Sequence, residues 1–229
     1  WGDEDDARAL PFGGQALDDH RYLPSLIRAT LAAEPADPAS ASEWLWVLGP
    51  DAPAERRERE SGPAGFPDGG VYLLRGPEDH VFVDCGPVGL AGRGGHGHSD
   101  VTALDATLAG VPLLVDPGSY VYTSSPEWRN RFRATAAHNA VQLDGQELNR
   151  FCDEGHLWSL RDDARPVGAS VFERQGVQVF GGGHTGYERL ASPVGVRRTA
   201  ALDPEGHRLV VVDALDGDGE HEARVRWLL

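Results

Sequence analysis

From residue 65 onward the chain reads as short apolar or alternating runs broken by glycine and proline. The runs are VYLLR (71–75), HVFVD (80–84), VTALDATL (101–108), VPLLVD (111–116), AVQLD (140–144), VFER (171–174), VQVF (177–180) and RLVVVDAL (208–215). Runs of this length at strand-and-turn spacing predict an antiparallel β-sandwich. PG at 117–118, DG at 144–145 and DGDG at 216–219 supply plausible turns. Upstream the period changes. Tyr22, Leu23, Leu26, Ile27, Thr30 and Leu31 recur at i, i+3/i+4 and predict an amphipathic helix within 18–33, interrupted early by Pro24. SASEWLWVL (40–48) predicts a second, short helix with Ser40 or Ser42 as N-cap, ending at Gly49-Pro50. Residues 50–63 are polar, charged and bounded by prolines, as in a linker.

The composition, 40% hydrophobic and 25% charged over 229 residues, is that of a soluble globular protein. No run approaches the eighteen or so apolar residues that a membrane span needs. The formal net charge of −15 argues against nucleic acid or an anionic membrane as partner, and would repel a polyanionic sugar unless basic residues are concentrated locally. WRNRFR (128–133) offers such a concentration. If it is extended, Arg129, Arg131 and Arg133 share one face as a cationic strip suited to carboxylate or sulfate. Pairing with surface acids is an equal alternative. Cys85 and Cys152 form no CxxC and read as unpaired thiols that do not fix the redox compartment. The start, WGDEDDARAL, has neither Met nor signal segment, and ARVRWLL looks like a strand still running, so both ends look like cuts.

GRGGHGHSD (92–100) raises the chemical question, because His96 and His98 sit one residue apart among glycines, with Asp100 two residues on. It is either a flexible loop with incidental histidines or the rim of a metal site. Metal sites draw imidazoles and carboxylates from separate segments, and Asp105, Asp116, His138, His156 and His184 are further candidates. A hairpin turning at Ala109-Gly110 sets Leu108 opposite Val111 and Asp116 opposite Ala103. A straight continuation then leaves His98 roughly 17 Å from Asp116, at about 3.3 Å per residue. The two meet only if the loop curls back, which glycines 92, 94, 95 and 97 permit. Phosphate binding by GPVGLAGRGG lacks its strand–loop–helix context, and no GxSxG elbow exists for a serine hydrolase.

The block GGHGHSDVTALDATLAGVPLLVDPGSYVYTSSPEWRNRFRATAAHNAVQLDGQ resembles the signature of the heparinase II/III-like family of polysaccharide lyases. WGDEDDARALPF, FPDGGVYLLR, FVDCGPVG, HTGYERL and VVDALDGDGEH support the likeness, which covers nearly the whole chain. The resemblance implies an antiparallel β-sandwich (63–229) preceded by the tail of an α/α toroid (1–62), with the sandwich truncated at its C-terminus. It implies β-elimination on a uronic-acid-containing polysaccharide, with His96 as active-site histidine and a structural zinc on His98, Asp116 and His138. Arg129, Arg131, Arg133 and Tyr187 are the substrate-binding candidates. The tyrosine that serves such lyases as base and acid would lie upstream of Trp1, so the chain alone is expected to be inactive. Expected partners are an acidic polysaccharide and the missing toroid, with no nucleic acid or membrane. A periplasmic or secreted location is expected over a cytoplasmic one. Two other readings stand beside this: a non-catalytic carbohydrate-binding sandwich with structural zinc, and a zinc hydrolase using Asp100 or Asp105.

Overall fold

The structure is a computed structural model describing residues 2–3, 20, 22–32, 35, 41–50, 60–153 and 156–229. It divides into two compact units, Glu4–Arg59 and a larger one of Trp1–Asp3 with Glu60–Leu229. In the smaller unit α1 (Tyr22–Leu31) packs on α2 (Ala41–Leu48). Pro24 falls in the first turn of α1, where its missing N–H costs no helical bond. Helix α2 ends where Gly49, at φ +87°, donates to the Leu45 carbonyl. Of the two expected caps of α2, Ser42 falls inside the helix instead of before it, and Ser40 lies outside the described residues, as does most of the charged linker, residues 51–59. Among the described residues no helix is long and apolar enough to cross a membrane.

The larger unit is the expected sandwich. One antiparallel sheet runs β1 (Ala64–Phe66), β2 (Val71–Arg75), β3 (His80–Asp84), β4 (Leu104–Leu108), β5 (Val111–Leu114) in spatial order. A short pair joins β6 (Val141–Leu143) to β11 (Ala223–Val225). The second large sheet contains β7 (Pro166–Arg174), β8 (Val177–His184), β9 (Val194–Asp203) and β10 (Arg208–Gly217), ordered β10-β9-β8-β7. The core lies between the large sheets. Leu74, Val81, Val83, Leu104 and Ala106 of the first bury against Phe180, Val196, Ala200 and Leu202 of the second. Each large aliphatic side chain buried there contributes about 1.5–3 kcal/mol. Gln178 stitches the layers together, its side-chain amide donating to the Arg75 carbonyl and accepting from the Arg75 N–H.

All eight sequence runs contribute to strands, and β9 is the long strand they omit. Its segment VGVRRTAALD reads as polar because Arg197 and Arg198 interrupt it, yet Arg198 points inward and is fully buried. The hairpin at Ala109-Gly110 forms with both residues at positive φ (49° and 75°) and Leu108 opposite Val111, as the spacing predicts. A bulge between Thr107 and Ala106 then shifts the register, so that Leu114 rather than Leu113 faces Ala106. One residue of slip exchanges the two faces of a strand. The expected placement of Asp116 opposite Ala103 therefore does not hold.

Candidate metal centre and the histidine beside it

The connection from β3 to β4 carries the histidines. At Gly97 an added Cβ would lie 2.3 Å from the Val88 carbonyl oxygen, so only glycine lets the two backbones approach. The curl itself is made by Thr102 at φ 68°, with Ala103 donating to the Asp100 carbonyl and Thr102 to the Asp84 carbonyl (2.6 and 2.7 Å). Strand β4 thus begins only at Leu104, and residues 98–103 turn inward instead of extending away from Asp116.

That turn brings His98 against His138, with ring centroids 5.2 Å apart. Both rings are buried, and each is held by a carboxylate on one nitrogen. His98 Nε2 lies 3.3 Å from Asp3 Oδ1, and His138 Nδ1 lies 2.7 Å from Asp116 Oδ2. An ionised carboxylate only accepts, so the facing nitrogen carries the proton and the opposite one keeps its lone pair. Those opposite atoms, His98 Nδ1 and His138 Nε2, are buried without a partner. Asp100 completes a group whose candidate ligand atoms all lie within 4.8 Å of one another. Two imidazole lone pairs, a carboxylate and carboxylates behind both imidazoles suit zinc.

The structure thus brings His98 and His138 together and sets Asp116 against His138. Its Oδ2 faces the His138 ring and its Oδ1 accepts from the Gly118 N–H (2.9 Å), so it orients that ring, while Asp100 stands in the group of candidate ligands. Burial opposes ionisation of Asp116, but the His138 and Gly118 contacts hold its carboxyl below the usual range. In Asp84 burial pushes the carboxyl up to about 7, and the neighbouring Asp100 carboxylate adds to the rise. His96, His98, Asp84 and Asp100 line one cavity of about 330 Å³.

His96 differs from its neighbours in being 61% exposed at its side chain. Its Nδ1 lies 2.9 Å from Asp3 Oδ2. The ring sits beside Trp158 (centroids 5.1 Å) and Tyr122 (6.4 Å). Beneath Trp158, 4.0 Å from its ring, lies the Arg129 guanidinium, which grips Asp3 through two bonds of 2.8 Å. Behind the site, Asn139 donates to the Leu104 and Val115 carbonyls, and buried Arg198 donates to the carbonyls of Thr102 and Asn139. Arg198 is itself paired in bidentate fashion with Asp213 on β10 (2.7 and 2.9 Å). The second sheet thereby pins the backbone on both sides of the histidine pair.

The arginine strip needs correction. Residues 126–132 form a helix, α3 (Pro126–Phe132), capped by Ser125 with Pro126 in its first turn. Arg129 and Arg133 lie one helical turn apart and are each 1% exposed, so neither reaches solvent. Arg129 is committed to Asp3. Arg133 bonds Asn130 and stacks on Phe151, and burial next to Arg129 lowers its pKa to about 10. Arg131 alone is exposed, over the Trp128 ring. Tyr187 is also not in a cleft. It is fully buried, and its hydroxyl donates to the Val141 and Gln146 carbonyls. Burial pushes the pKa of the adjacent His184 down to about 4. His156 and Asp105 do not join the metal group, and both cysteines are free thiols.

Sequence reasoning missed Asp3, Asn139 and Arg198. Asp3 has no local signature, since its partners stand 93, 95 and 126 positions away. Its one signal was the appearance of WGDED in the segment that supports the family resemblance.

Among curated proteins none matches this sequence. Among solved structures, the heparan sulfate lyase HepC from Pedobacter heparinus is similar, with a TM-score of 0.62 and 16% identity, covering 99% of this chain and 31% of that one. A heparinase III structure has a TM-score of 0.60 and 21% identity, covering 89% of this chain and 28% of its own. The chain therefore spans less than a third of the structures it resembles, and at these identities the likeness is one of fold. The family model described as Heparinase II/III-like, C-terminal matches residues 58–229, and the chain belongs to that family.

Proposed function

We propose that this chain is the β-sandwich part of a polysaccharide lyase that cleaves a uronic-acid-containing polysaccharide by β-elimination. Residues 1–62 are then the end of its helical toroid and 63–229 the sandwich. The observation that carries the reading is an exposed imidazole, His96, two residues from a buried and carboxylate-backed imidazole pair. The C5 proton of a uronic acid is poorly acidic while the adjacent carboxylate keeps its charge. Elimination therefore needs a group to neutralise that carboxylate, a base, and an acid for the leaving oxygen. His96 meets the sugar carboxylate at the rim of the cavity, and Arg131 adds the one exposed cation of α3. Base and acid come from the toroid. A zinc ion held by His98, His138 and a carboxylate would cross-link the histidine loop to the sheet and so hold His96 in place. HepC is named for action on heparan sulfate, which makes that polymer the first substrate to try.

The test is a full-length protein assayed on heparan sulfate and other uronic-acid polymers for the ultraviolet absorbance of an unsaturated sugar. The reading predicts that product, and its loss in His96→Ala with zinc retained. New reducing ends without absorbance would indicate a hydrolase instead. Binding without any cleavage would indicate a carbohydrate-binding module. Zinc content in Asp100→Asn and Asp116→Asn identifies the ligating carboxylate.

A further inference from the structure

Asp3 joins three side chains of the site. Its carboxylate, 2% exposed, meets His96 Nδ1, His98 Nε2 and both terminal nitrogens of Arg129. Its backbone N–H donates to the His96 carbonyl (2.8 Å). The preceding Gly2 has φ +92°, and an added Cβ there would lie 2.3 Å from the same carbonyl oxygen, so only glycine lets this segment approach so closely. Arg129 is anchored in turn by its bond to the Gly95 carbonyl (3.1 Å) and by Trp158. Gly2-Asp3 is therefore a short strap fastened to the histidine loop from two sides, with its carboxylate aimed between the two imidazoles.

We propose that Asp3 is a positioning residue for both histidines. Clamped by Arg129, it accepts the Nδ1–H of His96 and the Nε2–H of His98, so that His96 presents Nε2 outward and His98 presents Nδ1 to the metal position. A carboxylate bound in bidentate fashion by a guanidinium has only lone pairs to offer the imidazoles, so each ring must turn an N–H toward it. The two rings consequently hold opposite tautomers. An isolated histidine prefers the Nε2–H form, so His96 is held in the less favoured one. Its outward nitrogen is then free to accept, or to carry a proton toward a substrate carboxylate. One carboxylate thus ties the substrate-facing histidine to the metal-facing one, a coupling that spacing along HGH alone does not provide. The roles given to the two rings rest on the lyase reading; the tautomers do not.

Full-length protein labelled with nitrogen-15 in the histidine rings tests this by long-range proton–nitrogen correlation, at a pH where the rings are neutral. His96 is assigned by the signal lost in His96→Gln. The native protein is expected to show His96 protonated at Nδ1 and bare at Nε2. Asp3→Ala is expected to move it to the Nε2–H form. A native His96 already in the Nε2–H form, or one unchanged in Asp3→Ala, overturns the proposal. Should Asp3→Ala not fold, the native spectrum still decides, and Asp3→Asn supplies the comparison. In that variant zinc loss to a chelator should quicken about 10–100-fold, as when other carboxylates behind metal-bound histidines are removed. On heparan sulfate its kcat should fall within a similar range, about 10–100-fold, with KM little changed. Unaltered zinc loss contradicts the role toward His98. If the full-length protein forms no unsaturated product while the tautomers are as stated, the lyase reading fails and the positioning by Asp3 stands; if it does and His96→Ala keeps that activity, only the role of His96 in the reaction falls.

Discussion

The chain holds two glycine-rich stretches that carry histidine, GRGGHGHSD at 92–100 and GGGHTGY at 181–187, and their histidines meet different partners. His98 and His184 are both buried, and each leaves one ring nitrogen without a partner. His98 has a carboxylate behind its other nitrogen, whereas His184 has only the Gly186 N–H (3.2 Å). Accepting from an N–H fixes the His184 proton on Nε2, a buried donor with nothing to receive it; donating to Asp3 leaves His98 with a bare lone pair. Burial and glycine content therefore do not make a histidine a ligand. What sets His98 apart is the carboxylate on its far side, which decides which atom faces inward.

Three substitutions would break or sharpen this contrast. The largest effect is expected at His96, the exposed member of the HGH pair. His96→Ala in the full-length protein should lower lyase turnover by about 10²–10⁴-fold, the usual worth of a positioned proton-handling group, while zinc content stays unchanged. Loss of zinc together with activity would make His96 a structural residue instead. Next comes His184, whose folded pKa is depressed to about 4 from 6.5. Between those values the unfolded chain binds a proton that the folded one refuses, so stability falls as pH drops from 6.5 toward 4. The full difference is about 3 kcal/mol. His184→Gln should flatten that acid-side loss, seen in denaturant unfolding across this pH window, and leave zinc bound. The smallest effect belongs to Tyr187. Removing its hydroxyl in Tyr187→Phe leaves the Val141 and Gln146 carbonyls short of a donor, for about 1–2 kcal/mol of stability, with KM unaltered. A raised KM would return Tyr187 to the substrate surface.

The sandwich was legible because period-2 runs such as VYLLR and HVFVD report burial on one face directly. Strand β9 escaped that logic because a buried, fully paired Arg198 occupies a core-facing position where an apolar residue is expected. WRNRFR suggested a strip of three free cations only while it was taken as extended. The preceding Ser125-Pro126-Glu127, a cap, a first-turn proline and an early acid, is a helix start that the sequence does contain. For the site, His98 and His138 could be named from the resemblance, but their distribution of carboxylates could not. The β4–β5 bulge turns on one residue of register, and Asp3 acts from the far end of the sequence. Neither leaves a periodic trace in the chain.

The account rests on carboxylate-backed imidazoles being metal ligands, and metal analysis of the purified full-length protein tests that most directly. One zinc per chain is expected in the native protein and in His184→Gln, and none in His98→Ala or His138→Ala. A native protein without stoichiometric metal, or one whose zinc survives both alanine substitutions, would contradict it.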